Sequence, residues 1–533
     1  MTNGATPPAT VPPLSSFTED GPWEVDMDRL SWRCGLDRVR ADAHARVPDL
    51  MRSRRLPPAG RLLGTGIHLS RAVGGWSLFE RRKGSPYSAA GLSRRLRRAF
   101  EKLGPTYIKL GQVISSGEGV LPDELVAEFR GLRDRVPAEP FEVVRAVVES
   151  EFGRPLSQIF AHFDGEPAAA ASIAQVHMAT LLTGEEVAVK VQRPGIGRLV
   201  EQDLSVMAAL APVLAKHIDV LKIMNFPALI ELFAETVVEE LDFRLEAENM
   251  LDIAMVLDKT AQRAILVPRP HPDLVTRRVL VMERLDGFAF DDVAGMRAAG
   301  VDTAAVIRAC LVSVLEGAMI YGVFHGDLHG GNLMVHPDGR VVLLDYGITG
   351  RLTNRRRLIF LNMLMSAIAG NHRGVLQGYQ DLGAIPPETD LDVFMEEIPV
   401  DRPGIDPSTA DADQMISEMR RVTKALVRHG LRVPKELMLF MKDFMFIDGA
   451  MTTLAPDLDV VAEMMHLAQY FVQFHGEQIA QDIGLDPSSI TLDSSAWLNS
   501  LGLDPEAGSI THREILEQRE EVRAKMAAHR RRR

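Results

Sequence analysis

Apolar and polar positions alternate in short runs through the middle of the chain and repeat at helical spacing on either side. Glu186-Val-Ala-Val-Lys-Val-Gln192 places a valine at every second position. This predicts a strand with Val187, Val189 and Val191 on one face and Ala188, Lys190 and Gln192 on the other. Arg278-Val-Leu-Val-Met-Glu283 predicts another strand, leading to Arg284-Leu-Asp-Gly287. Leu333-Met-Val-His336 and Val341 to Leu344 predict two short strands joined by the turn Pro337-Asp-Gly339. Gly104-Pro-Thr-Tyr-Ile-Lys-Leu-Gly-Gln112 predicts a helix with Pro105 in its first turn. Ile230, Phe233, Val237 and Leu241 follow spacings of three and four, which predicts one long amphipathic helix from Asn225 to Met250. Beyond Gly287 the pattern is mostly helical. The acidic, Pro-containing segment Ala384 to Asp413 reads as a surface loop. Residues Met1 to about Gly21, rich in Pro, Thr and Ser, read as disordered. The charged tail from Asp504 to Arg533 reads as a solvated helix with a frayed end.

Composition narrows this picture. The chain has 533 residues, 46% hydrophobic and 25% charged, as a globular protein does. A net charge of −12 argues against a general nucleic-acid footprint. Cys34 and Cys310 cannot build a disulfide framework, which points to a reducing cytoplasm. No uninterrupted apolar run reaches bilayer length; Arg308 and Glu316 interrupt one candidate. From Asp28 to Lys102 the chain is Arg-rich, with Arg52-Ser-Arg-Arg55, Arg81-Arg-Lys83 and Arg94-Arg-Leu-Arg-Arg98. Solvated helix faces are the first reading of these clusters. Contact with an anionic membrane surface is the second, and it adds a peripheral membrane association to the cytoplasmic expectation.

The chemistry concentrates in His325-Gly-Asp-Leu-His-Gly-Gly-Asn332 and in Asp345, which closes the second hairpin strand. Phosphoryl transfer needs a carboxylate at the acceptor oxygen, and an Asn and an Asp holding Mg²⁺ on the phosphates. Asp327 is the candidate base; Asn332 and Asp345 are the candidate metal ligands. Lys190 stands in the V-A-V-K form of the strand whose lysine holds the α- and β-phosphates of ATP. The small-residue run Ala168, Ala169, Ala170, Ala171 and Ser172 lies between two expected strands, where a phosphate-covering loop belongs. A small-residue helical turn is its bland alternative. Met282, Glu283 and Leu285 lie where a lobe hinge offers backbone groups to adenine.

Lys109 and Gln112 share a helix face among apolar neighbours. Buried, they need partners; otherwise Lys109 snorkels to solvent, and the two readings stand level here. Glu239-Glu-Leu-Asp-Phe-Arg-Leu-Glu246 supplies acidic candidates. Glu240 and Glu246 lie roughly 120° apart on an unbroken helix, so one lysine cannot take both. As a hypothesis, Glu246 is assigned to Lys190 and Glu240 to Lys109; an acidic solvated helix face is the alternative, and it explains Glu239 and Glu248 equally well.

Taken in order, Lys109-Leu-Gly-Gln112, the alanine-rich loop, Lys190, Glu240-Leu-Asp242, Glu246 and His325 to Asn332 resemble the UbiB (AarF-type) atypical kinase family. The similarity runs from about Arg94 to Gly350. It implies an α+β, two-lobed protein-kinase-like fold with a helical N-terminal extension over the active site. The implied organisation is a disordered N-terminus (1–27), a basic, mostly helical region (28–93), the Lys-x-Gly-Gln extension (94–150), an N-lobe (151–288), a helical C-lobe (289–480) and a charged tail (481–533).

The resemblance further implies ATP and Mg²⁺ as cofactors, with Lys109, Gln112, Glu240 and Asp242 as a regulatory motif. Lys109 would enter the site, pair with the Glu-x-Asp motif and occupy space a peptide needs. The implied activity is ATP hydrolysis, or phosphoryl transfer to a small or lipid-like acceptor, in support of isoprenoid-quinone or lipid metabolism. Asp345-Tyr-Gly stands for the family's commoner Asp-Phe-Gly, and Gly330 for its usual Pro. Many quinone-linked members end in hydrophobic helices, whereas this chain ends in charge. The short path from Gly347 to the helical pattern at Arg355, with no Ala-Pro-Glu, independently leaves little room for an activation segment. Two other readings stand beside this one. They are a small-molecule phosphotransferase of the antibiotic-kinase type and a nucleotide-binding scaffold without turnover.

Overall fold

The computed structural model describes residues 16–18, 21–51, 57–81, 87–115, 123–132, 137–217, 226–260, 262–368, 371–397, 434–484, 511–517, 520 and 524. They divide into two units. The first comprises Met1–Ala254, Val267–Leu285 and Asp345–Ile348; the second comprises Met255–Leu266, Asp286–Leu344 and Thr349–Arg533.

In the first unit the alternating valines form the strand Glu186–Gln192. It pairs antiparallel with Ala174–Leu181 on one side and Val279–Glu283 on the other. Phe160–Phe163 and Pro270–Val275 extend the sheet, and Ala169–Ala170 pairs on Ala174–Leu181. Val187, Val189 and Val191 are buried against Val144, Val147 and Val148 of the helix Phe141–Phe152. The apolar periods of both elements thus meet in one core, and the opposite sheet face is left for Lys190.

The helical part of this unit contains the expected helix, as Pro105–Ser115. Its Ile108, Leu110 and Ile114 share a core with Val200, Leu204 and Met207 and with Ile230, Phe233 and Val237. Gly111 is a point of close approach. A Cβ there would lie 2.3 Å from Leu132 Cδ1 and 3.1 Å from Phe129 Cδ1. The long helix expected from Asn225 to Met250 is instead two helices, Phe226–Glu239 and Phe243–Lys259. Asp242 makes the corner. Its carboxylate accepts the Arg244 backbone N–H at 3.2 Å, and its carbonyl accepts that of Leu245 at 2.9 Å. A carboxylate that can satisfy the free donors of a helix start competes with continuing the previous helix.

The Arg94–Arg98 cluster lies on the helix Tyr87–Leu103 and is partly spent internally. Arg95 pairs with Glu80, and Arg97 with Glu101 and Glu128. Arg52–Arg55 and Arg82–Lys83 lie outside the described residues. Within the N-terminal stretch expected to be disordered, Ser16 and Phe17 are buried. The Ser16 carbonyl accepts the Val267 N–H at 3.0 Å, and the Arg269 guanidinium lies over the Phe17 ring. An aromatic ring and backbone pairing with a distant segment outweigh the local composition here.

In the second unit the expected hairpin is present, with Leu333–Val335 antiparallel to Val341–Leu343. Gly339, at φ 91°, supplies the left-handed turn position. Phe288–Ala289 and Ile265–Leu266 flank the hairpin, the latter in parallel. Thr349–Arg351 pairs with Val323–His325. The helix Thr303–Leu315 starts at Asp302, whose carboxylate accepts two backbone N–H groups, and it continues as a π-turn through Glu316–Tyr321. Thr303–Tyr321 is long and apolar enough to cross a membrane by length and composition, yet 78% of it is buried inside the protein. It is a core helix whose Arg308 pairs with Glu463.

Two expectations for this unit are corrected. Ala384 and Ile385 are buried, and Leu391–Glu397 is a helix whose Leu391 and Phe394 pack with Ile385. The first part of the supposed surface loop is therefore a small core, because its spaced apolar residues outweigh its acidity; residues 398–413 lie outside the described residues. In the tail, Thr511 bridges Asp459 and His512 is buried, so this piece is docked rather than solvated.

Candidate active site

Strand alternation turns Lys190 away from the valine core, opposite Val176 and Leu280 in the register. Its Nζ lies 2.6 Å from Glu246 Oε1 and 3.4 Å from Asp345 Oδ1. The Lys190 side chain is 13% exposed and that of Glu246 only 4%. Burial disfavours the ammonium, but the carboxylates of Asp345 and Glu246 outweigh it and hold the Lys190 pKa above its usual value. Burial pushes Glu246 up, against the pull of Lys190. Lys190 also lies over the Phe243 ring, 5.5 Å from its centroid.

Lys109 is not a snorkelling surface lysine. Its Nζ lies 3.0 Å from Glu240 Oε1, with side chains 14% and 11% exposed. Glu240 sits on the corner between the two acidic helices, so the angular reasoning from an unbroken helix does not apply, although the assigned pairings do hold. The Asp345–Gly347 turn lies beside it: a Cβ on Gly347 would meet Glu240 Cγ at 3.3 Å and Asp345 Oδ1 at 3.2 Å. Asp345 closes this turn by accepting the Gly347 N–H at 2.9 Å, and Asn249 holds the Tyr346 carbonyl. Asp242, grouped with Lys109 in the sequence, pairs with Arg244 and serves the corner. Gln112 shares the helix Pro105–Ser115 with Lys109.

The alanine run lies between the strands Phe160–Phe163 and Ala174–Leu181, as expected, and it forms a hairpin rather than a helical turn. Ala169–Ala170 forms one arm, and the Ala171 N–H donates to the Ala174 carbonyl at 2.8 Å. Ser172 is buried. Arg193 pins the hairpin, donating to the carbonyls of Ala171 and Pro137 and pairing with Glu139. Arg193 was not singled out from the sequence, although it lies immediately after the lysine strand. At the expected hinge, Met282 and Glu283 are buried. The Glu283 carboxylate binds Thr18 Oγ1 and the Arg269 N–H, and burial pushes its pKa up. Its side chain and its own N–H, donated to the Arg269 carbonyl, thus hold the strand end in shape.

In the second unit the His325–Asn332 loop is wired to itself. Asp327 N–H donates to His325 Nδ1 at 3.2 Å, and Asn332 Nδ2 donates to the Asp327 carbonyl at 3.0 Å. The His329 Nδ1 accepts the Gly331 N–H. The Asp327 carboxylate is paired with Lys442, and the Leu328 N–H donates to Asp443 Oδ1 at 2.9 Å. Neither Lys442 nor Asp443 follows from a sequence motif. The one available signal is an adjacent charge pair inside the apolar helix Lys435–Leu454.

The first unit thus brings together Lys190, Glu246, Asp345, Lys109 and Glu240, and the second brings together Asp327 and Asn332. Each unit, taken by itself, offers an oxygen donor of the kind a magnesium ion takes. This ion takes hard oxygen ligands and is usually held by one or two protein carboxylates plus substrate phosphates. Asn332 spends its amide nitrogen on Asp327, which leaves an amide oxygen as its donor atom; Asp345 offers a carboxylate that is partly exposed.

A model of the ABC1 atypical kinase-like domain matches residues 131–379. An uncharacterized protein of Mycobacterium tuberculosis is 36% identical over 451 residues, covering 82% of this chain and 89% of that one. The probable protein kinase UbiB of Marinobacter nauticus is 32% identical, over 75% of this chain and 72% of its own. The chloroplastic Activity of bc1 complex kinase 1 of Arabidopsis thaliana is 30% identical, over 68% of this chain and 53% of its own.

Proposed function

The chain belongs to the UbiB (ABC1) atypical kinase family, with its kinase-like α+β fold, and from that premise we propose that it is an ATP- and Mg²⁺-dependent enzyme. It hydrolyses ATP or passes the terminal phosphoryl group to a small or lipid-like acceptor. The observation that carries this reading is the Lys190 ammonium set between Glu246 and Asp345. A cation so placed meets two needs. It can be given to the α- and β-phosphates, and it keeps its geometry while they are absent.

The remaining roles follow the chemistry of each group. The hairpin Ala168, Ala169, Ala170, Ala171 and Ser172 covers the phosphates, while the backbone at Met282, Glu283 and Leu285 takes adenine. Asp345 and Asn332 are the metal ligands, and when bound the ion neutralises phosphate charge. Asp327 orients the acceptor hydroxyl or water and takes its proton. The buried Lys109–Glu240 pair beside the Asp345 turn favours a small or lipid-like acceptor over a peptide. So does the direct passage from the strand Thr349–Arg351 to the helix Asn354–Ile368, which gives little length for an activation segment. The basic N-terminal helices are proposed to meet an anionic membrane surface, in support of isoprenoid-quinone or lipid metabolism.

The test is ADP release by the purified full chain, with and without anionic lipid vesicles. Mg²⁺-dependent release that Lys190→Met abolishes is expected, with stimulation by vesicles. A metabolite comparison in a deletion strain then identifies the pathway. A protein that neither releases ADP nor is thermally stabilised by Mg-ATP refutes the enzymatic reading.

A further inference from the structure

The helix Lys435–Leu454 buries Leu437, Leu439, Ile447, Ala450 and Leu454. On it stand two adjacent charged residues, Lys442 and Asp443. Consecutive helical residues point roughly 100° apart, so the two reach different groups. Asp443 is fully buried and holds the backbone N–H of Leu328, while Lys442 Nζ holds the carboxylate of Asp327. Two consecutive helix residues therefore grip two consecutive loop residues. Burial pushes Asp443 well above the usual carboxylate range, so the neighbouring ammonium has Asp327 as its charged partner. The other candidate groups are engaged elsewhere. Lys190 is set on Glu246 and Asp345, and His329 turns its Nδ1 onto its own loop.

We propose that Lys442 is a catalytic cation of the phosphoryl-transfer site, held on Asp327 and donating to the equatorial oxygens of the phosphoryl group in transit. This rests on Asp327 being the acceptor-facing carboxylate. In the step, the acceptor oxygen forms a bond to the γ-phosphorus. The β,γ-bridging P–O bond breaks, and its electron pair leaves on ADP. The acceptor proton goes to Asp327, and Lys442 keeps all of its own. An ammonium has three donors; with one on Asp327, two remain for phosphoryl oxygens. Because Asp327 also holds the attacking oxygen, Lys442 lies one further hydrogen bond from the reacting phosphorus. A preorganised charge at that point acts on the transition state, and removing one such donor typically lowers kcat by about 10²–10³-fold. The pair is itself largely buried, with side chains 20% and 13% exposed, so removing Lys442 also costs stability, and turnover rather than Tm separates the two roles.

The test compares Lys442→Met and Lys442→Arg with the wild-type full chain. Mg-ATP hydrolysis and thermal stabilisation by Mg-ADP, with and without aluminium fluoride, are measured. Lys442→Met is expected to lower kcat by about 10²-fold. Its KM for ATP should stay close to wild type, and Lys442→Arg should recover part of the rate. Aluminium fluoride, which mimics the phosphoryl group in transit, should add stabilisation to wild type and Lys442→Arg. Lys442→Met should keep the Mg-ADP shift and lose that addition.

Wild-type kcat and an undiminished aluminium fluoride shift in Lys442→Met overturn the proposal. A loss of Mg-ADP binding as large as the loss of kcat also overturns it, by making Lys442 structural. Wild-type turnover in Asp327→Asn is a separate failure, that of the reading of Asp327. A wild-type protein with neither turnover nor an aluminium fluoride shift overturns both.

Discussion

Replacing Lys109 by Ala should weaken the fold and alter turnover together, although the residue lies far from the lysine strand in sequence. The pair it forms with Glu240 is 3.0 Å long, and its side chains are 14% and 11% exposed. Removing one partner of a buried pair typically costs about 3–5 kcal/mol, because the other charge is left without compensation. Two features lower that figure here. The residual exposure lets water reach Glu240, and the field of Lys190 also acts on Glu240. A loss of about 2–3 kcal/mol is the reasoned value, scaled down from the range for buried pairs. At roughly 2–4 °C per kcal/mol for a unit of this size, Tm should fall by about 4–12 °C.

Glu240→Ala on the Lys109→Ala background should restore part of the loss, since it removes the stranded carboxylate. The assay is a thermal-denaturation double-mutant cycle, run beside ADP release. The Asp345 turn lies against Glu240, so the single variant should also change the apparent KM for ATP. Additive, near-neutral shifts with unaltered turnover would refute the reasoning and return Lys109 to the status of an ordinary lysine.

Three further outcomes are expected. Asp345→Asn should remove the Mg²⁺-dependent part of the thermal stabilisation by ATP, while unchanged stabilisation at saturating Mg²⁺ would take Asp345 out of the site. Arg193→Met should lower both Tm and ATP affinity, because the carbonyls of Ala171 and Pro137 lose their donor and the alanine hairpin loosens; a thermal shift titration reads both, and wild-type affinity would show that the hairpin does not cover the nucleotide. Asp443 has a raised folded pKa, so its contribution is fully present below the unfolded value near 3.8 and is lost as pH rises. The Tm of Asp443→Asn relative to wild type should therefore increase between pH 5 and pH 8, and a flat difference would show that the buried acid is ionised.

What could be read from the sequence was set by local periodicity. The lysine strand, the hairpin Leu333–Val335 with Val341–Leu343, and the helix at Pro105 each follow from a repeat of two or of three to four, with a turn residue at the end. The pairings of Lys190 with Glu246 and Lys109 with Glu240 could be framed only as a hypothesis, because nothing local decides whether Lys109 is buried or reaches solvent. The corner at Asp242 was not legible, because the apolar spacing runs through it unbroken while the competing hydrogen bonds are made by a side chain. Lys442 was hidden for another reason. It meets Asp327 across 115 residues, and nothing local marks it. The core around Ile385 and Phe394 was masked by acidic neighbours that face outward.

Gly111 bears on how the lysine motif should be recognised. With the Leu132 and Phe129 side chains filling the space a β-carbon would take, the position acts as a clearance gauge for the seating of the helix Pro105–Ser115. A methyl group there would meet the Leu132 and Phe129 side chains, so either these repack or the helix that carries Lys109 shifts, with every charged atom still present. A distant relative that keeps the lysine but carries a larger residue in place of the glycine, without repacking around it, would have the right chemistry at the wrong depth. Spacing and size at this motif therefore carry information that the identity of the lysine alone does not.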